Sequence, residues 1–311
     1  SAASDVYKRQ ELFMLPFFAW VFPKTAQNLE NYRYYLLDAA RENAHKNGFN
    51  GAQYPWESAD DGSEQCPDWT IEPDGSCYRC YVAVYEHHVT AAVAYGIYDY
   101  VKITGDIDFL YTKGAEILTE TARFWASRCE YNNEQDRYEI NQVTGPDEWH
   151  EPVNNNLYTN YLARWNLKYV LSLLEVMKKE ETSSYNELVE KTGLTEMETA
   201  KWKEVQEKIY LPRKEGTKLL EQFEGYFELD NVTIEKYDEN DWPIRPEALK
   251  TKKAKETQIN KQADVVMLLH LMGNEFDDET IKENYAYYEK RTLHGSSLSP
   301  SIYSVMGLKV G

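Results

Sequence analysis

Between Thr144 and Asn160 the chain reads TGPDEWHEPVNNNLYTN. Three acids (Asp147, Glu148, Glu151), the imidazole of His150 and the indole of Trp149 fall within five residues of one another. Carboxyls serve as general acids or bases once their surroundings tune them. Burial against an apolar ring disfavours the charged form, which allows such a group to hold a proton near neutral pH. Acids on loops are more often simply solvated. Residue type and spacing alone leave all three acids as candidates.

The surrounding pattern says what must hold them. Gly145-Pro146 marks a turn, and the run Asn154-Asn155-Asn156 favours turns and helix N-caps. Leu162, Trp165, Tyr169, Leu173 and Val176 then recur every three or four positions, the signature of an amphipathic helix. The acids therefore sit on an irregular loop that feeds a long helix. Loops fixed by rigid elements are where catalytic groups concentrate.

The same segment closely resembles the catalytic loop of glycoside hydrolase family 65, whose members include the maltose, kojibiose, nigerose and trehalose phosphorylases. The likeness runs over TGPDE, the aromatic, His-Glu, the Asn-rich run and Tyr-Thr-Asn. It implies that Glu148 is the general acid and that His150 lies among the sugar contacts. A second match, His294-Gly295-Ser296-Ser297-Leu298-Ser299, falls 146 residues after Glu148. Alone it reads as a flexible turn. By resemblance it is a phosphate site built from His294, Gly295, Ser296 and Ser297, and a helix N-terminus next to it would suit an oxyanion. Two weaker matches concern the sugar. Pro55-Trp56-Glu57-Ser58-Ala59 implies that Trp56 packs on the glucosyl ring and Glu57 accepts from its hydroxyls. Lys261-Gln262-Ala263-Asp264 implies donors to the same unit, where residue type alone lets Lys261 and Gln262 face water. Acceptor contacts are implied near Tyr85 to Val89.

The positioning elements are mostly helical. Helices are predicted over 26–44, 88–102 and 265–272, with another following Asp106 as N-cap. Residues 51–62 read as a loop. Residues 180–255 read as a charged decoration of helices, with Thr195-x-x-Glu198 as a capping box and Lys252, Lys253 and Lys255 on a solvated face. The fold class is mainly α, and by resemblance an (α/α)6 barrel incomplete at both ends. Such a barrel over 11–311 would lack the family's N-terminal β-sandwich and its C-terminal helices and β domain. Residues 1–10 depart from the family pattern, with Lys8, Arg9 and Gln10 where Trp, Asp and Thr are expected. They are taken as a non-native leader.

Charge and composition narrow the class. Lys and Arg number 34 against 52 Asp and Glu, a net charge of −18. Nucleic acid needs a basic face, so neither it nor an anionic membrane surface is an expected partner. No apolar run reaches spanning length. The chain has four cysteines, and the single pair Cys77-x-x-Cys80 supplies only half of a tetrahedral zinc shell, so no metal is expected. Thiol usage suits a reduced, cytoplasmic protein.

The resemblance implies phosphorolysis of an α-linked glucose disaccharide with inversion to β-glucose 1-phosphate, needing inorganic phosphate as co-substrate and no cofactor, in an enzyme family that is commonly dimeric. A hydrolase of the same family (glucosidase or trehalase type) and an inactive, truncated sugar-binding barrel are the alternatives.

Overall fold

The computed structural model describes residues 9–71 and 75–311. Of the expected leader, only Arg9 and Gln10 fall within them. The chain divides into two compact units, one made of residues 1–139 and 162–209, the other of 140–161 and 210–311.

The first unit is helical. Its longer helices are Leu15–Val21, Pro23–Tyr35, Leu37–Lys46, His88–Thr104, Ala115–Arg128, Thr182–Thr192 and Glu196–Lys208, with most of Leu157–Glu180 besides, and short turns of helix lie at Val82–Tyr85 and Ile107–Phe109. The helix predicted over 88–102 is observed as His88–Thr104, and a stripe of Val89, Ala92, Val93 and Ile97 on it is fully buried. Gly96 interrupts that stripe for a steric reason. A Cβ there would stand 2.9 Å from Glu11 Cγ, and Glu11 is buried in an ion pair of 2.6 Å with Arg33. The helix ends at Gly105 in the left-handed region, and Asp106 caps the next one, accepting from the Phe109 amide at 3.0 Å. The helix predicted over 26–44 is broken at Leu36, whose ψ of 10° leaves the helical range. Thr195 and Glu198 form the expected reciprocal cap.

In the same unit, Cys66 approaches Cys80 at 3.8 Å rather than Cys77 doing so. Burial and the neighbouring Cys80 push the Cys66 thiol up to about 12.

The second unit holds the loop of acids, the helices Val265–Leu271, Asp278–Glu289 and Leu298–Val310, and long irregular connections. Here the decoration departs from expectation. After Lys208 the chain to Asn260 has only single 3-10 turns, at Tyr226–Glu228, Glu247–Lys250 and Ala254–Glu256. Its apolar residues are spaced too irregularly to make one helical stripe, so they enter the core singly. Ile234, Leu249, Ile259 and Leu293 form such a cluster, with Trp149 packed against it. Lys252 and Lys253 are exposed as predicted.

Candidate active site

Every group at this site lies within the second unit. The acid loop is closed at its base by a pair of backbone hydrogen bonds between Val143 and Val153, at 2.9 and 2.8 Å. Beneath it runs a buried polar network. Asp147, 1% exposed, accepts through Oδ1 from the Lys261 amide at 2.7 Å. Its Oδ2 accepts from Gln222 Nε2 at 3.1 Å and faces His150 Nδ1 at 2.5 Å. Asp264, also buried, takes the Asp147 amide at 3.3 Å and the Asn156 side-chain amide at 3.2 Å. Asn156 in turn accepts from Thr159 at the start of the long helix. The irregular segment 257–264 is thus tied to the loop through Lys261 and Asp264. Buried polar groups left without partners would cost far more than these bonds contribute, so such a network fixes one conformation.

Glu148 stands above this base, its side chain 24% exposed. Lys261 Nζ meets Oε2 at 2.5 Å and Gln262 Nε2 donates to Oε1 at 3.1 Å. Gln262, 5% exposed, also donates to the Pro146 carbonyl. Neither side chain simply faces water. The indole of Trp149 packs against the hydrophobic cluster, with the Arg245 guanidinium 5.9 Å from its ring centre. The polar partners of Glu148 come from residues more than a hundred positions away.

Of the other acids, Glu151 is half-buried, and burial followed by the charge of Glu148 raises its pKa. His150, expected among the sugar contacts, is 2% exposed. Its Nε2 faces the Thr257 carbonyl at 2.8 Å, so both ring nitrogens are engaged inside the protein. Burial opposes its charge, but Asp147, the Thr257 carbonyl and Asp264 outweigh that effect and raise its pKa.

The His294 loop is anchored to the same segment. The Gly295 amide donates to the Lys261 carbonyl at 2.7 Å. That amide is therefore engaged by the backbone. At the start of the helix Leu298–Val310 the Leu298 amide donates to Ser296 Oγ at 3.5 Å and the Ser299 amide to the Ser296 carbonyl at 3.1 Å, so the groups that could donate to an anion here are the Ser296 and Ser297 hydroxyls and His294. A Cβ on Gly295 would come within 3.2 Å of Lys261 Cγ, which accounts for glycine at this close approach. Ser299 Oγ accepts from the Ala263 amide at 3.1 Å and meets His294 Nδ1 at 2.9 Å. Burial lowers the His294 pKa, favouring a neutral ring.

Trp56 and Glu57 belong to the first unit. Their amides donate to the two oxygens of Glu64, at 2.6 and 2.9 Å, and the Trp56 ring lies 6.1 Å from that of His88. Sequence reasoning missed Glu64, Gln222 and Ser299. Ser299 closes a motif already singled out, while Gln222 lies in an irregular stretch that carries no periodic signal.

A model of the glycosyl hydrolase family 65 central catalytic domain matches residues 3–311. The chain belongs to glycosyl hydrolase family 65. It is 56% identical over 98% of its length to the kojibiose phosphorylase of Caldanaerobacter subterraneus subsp. tengcongensis, and 54% identical to that of Thermoanaerobacter brockii. To the α,α-trehalose phosphorylase of Thermoanaerobacter brockii it is 36% identical. A solved structure from the human microbiome, provisionally a kojibiose phosphorylase, superposes with a TM-score of 0.84 at 31% identity, covering 98% of this chain and 43% of that one. The chain spans about 40% of the length of the two kojibiose phosphorylases. The mainly helical fold expected from the sequence, part of a family 65 (α/α)6 barrel, agrees with these likenesses. Among the described residues, no helix is long and apolar enough to cross a membrane.

Proposed function

We propose that the chain carries the catalytic centre of an inverting phosphorylase acting on an α-linked glucose disaccharide, with kojibiose as its first candidate substrate. The observation that carries this reading is the joining of two motifs at one segment. Glu148 is held by Lys261 and Gln262, and the Lys261 carbonyl holds Gly295 of the loop read as the phosphate site. An acid and an anion site are thereby fixed to a common support.

In the proposed reaction Glu148 gives its proton to the glycosidic oxygen as the bond from that oxygen to the anomeric carbon breaks. A phosphate oxygen forms the new bond to the same carbon from the opposite face. Inverting hydrolases use a second carboxylate there to activate water. Phosphate is already a nucleophile and needs orientation rather than deprotonation. Ser296, Ser297 and His294 supply that orientation, and no cofactor enters. Lys261 and Gln262 are the proposed contacts of the transferred glucosyl unit. The relatives named above at 54% and 56% identity are kojibiose phosphorylases, against 36% for the trehalose enzyme, which supports kojibiose first. Release of glucose 1-phosphate from kojibiose, with and without phosphate, is the test.

A further inference from the structure

His150 lies between two acceptors. On one side is the Asp147 carboxylate at 2.5 Å and on the other the Thr257 carbonyl at 2.8 Å. A carbonyl oxygen only accepts, and a neutral imidazole has a single N–H. A neutral ring would therefore set lone pair against lone pair on one side, unless Asp147 held the proton. The remaining partners of Asp147 speak against that exception. Gln222 and the Lys261 amide both donate to it, so its oxygens already serve as acceptors. From these contacts we infer that His150 is a positioning residue that works as an imidazolium. Bridging Asp147 and Thr257, it locks the acid loop onto the segment carrying Lys261 and Gln262, and the lock opens when the ring loses a proton.

The surroundings are consistent with a trapped cation. Asp264 adds a second negative charge from the start of its helix, and the rings of Phe223 and Tyr226 pack at 5.1 and 6.1 Å. Glu151, Glu224, Glu228 and Lys255 line a surface pocket that His150 also borders. The direction of the His150 pKa, upward, supports the same state. The sign of the pH effect follows. A raised imidazole pKa gives stabilisation that is complete below the unfolded value of about 6.5 and is lost as pH rises through the folded value. Thr257 lies four residues before Lys261, so releasing it frees the segment whose side chains hold Glu148. The catalytic consequence rests on the reading of Glu148 as the acid; the protonation state does not.

The test is a nitrogen-15 NMR titration of the protein carrying labelled histidine, which has six histidines. One ring, absent from the spectrum of His150→Gln, should keep two N–H groups with imidazolium shifts well above the ordinary value of about 6.5. Finding that ring as a neutral tautomer at neutral pH overturns the inference. Should the variant fail to fold, the ring is assigned in the wild-type protein by correlation through its own backbone, and that spectrum decides. In turnover, His150→Gln should lower kcat by roughly tenfold or more through misplacement of the acid, leave KM for the sugar nearly unchanged, and shift the alkaline limb of the kcat profile. An unchanged kcat and limb would also overturn it. If the wild-type protein shows no phosphorolysis at all, the functional reading fails and the NMR result stands by itself.

Discussion

Gly145→Ala is the substitution whose effect the structure defines most sharply. The new methyl group would stand 2.3 Å from Asn156 Nδ2 and 2.4 Å from Asp264 Oδ2, well inside van der Waals contact. Both neighbours are at most 2% exposed, so neither has room to swing away. Overpacking of a dense interior costs about 1–3 kcal/mol. If Asp264 shifts, it also releases the Asp147 amide or the Asn156 amide, and a hydrogen bond to a charged group contributes about 1.5–3 kcal/mol. The expected loss is therefore about 3–5 kcal/mol, read as a lower midpoint at unchanged slope in urea denaturation followed by fluorescence. A loss below about 0.5 kcal/mol, the range of ordinary surface changes, would refute the packing described for this loop. Combining Gly145→Ala with Asn156→Ala should cost less than the two changes added, because the second makes room for the first. Strict additivity would separate the residues.

Glu148→Gln keeps the shape of the acid and removes its proton, so turnover should fall by roughly 10²–10⁴ while circular dichroism stays unchanged; retained turnover would remove Glu148 from its role. In the first unit, burial and then the charge of Arg128 push the His87 imidazole down to about 3. Its Nδ1 accepts from Arg128 at 3.1 Å while Nε2 faces the Val84 carbonyl at 2.9 Å, as a neutral ring permits. The unfolded chain then binds the proton first, so stability should be lost progressively as pH falls from about 6.5 toward 3, by several kcal/mol. His87→Gln should flatten that part of the stability profile, and an identical profile in the variant would contradict the assignment.

Much of this was readable in the residues because it is local. The core stripe of Val89 to Ile97, the cap at Asp106, the capping box at Thr195 and the loop nature of Thr144 to Asn156 each follow from a short pattern that tertiary packing then reinforced. What escaped was long-range. The partners of Glu148 are Lys261 and Gln262, and no spacing rule joins positions so distant. Nor does any spacing join Trp149 to the hydrophobic cluster of Ile234, Leu249, Ile259 and Leu293 against which it packs. His150 was expected among the sugar contacts by resemblance to the family. Only its two acceptors show that it faces inward. The stretch after Lys208 misled for a related reason: its charge content suggested solvated helices, whereas its scattered apolar residues anchor irregular chain.

The most direct measurement is the release of glucose 1-phosphate from kojibiose by the purified protein, in the presence and absence of inorganic phosphate, with trehalose and nigerose alongside. Phosphate-dependent glucose 1-phosphate, formed fastest from kojibiose and as the β anomer, is the predicted result. Free glucose from both halves of the sugar without phosphate would contradict it, because the loop from His294 to Ser297 would then not be where the nucleophile binds.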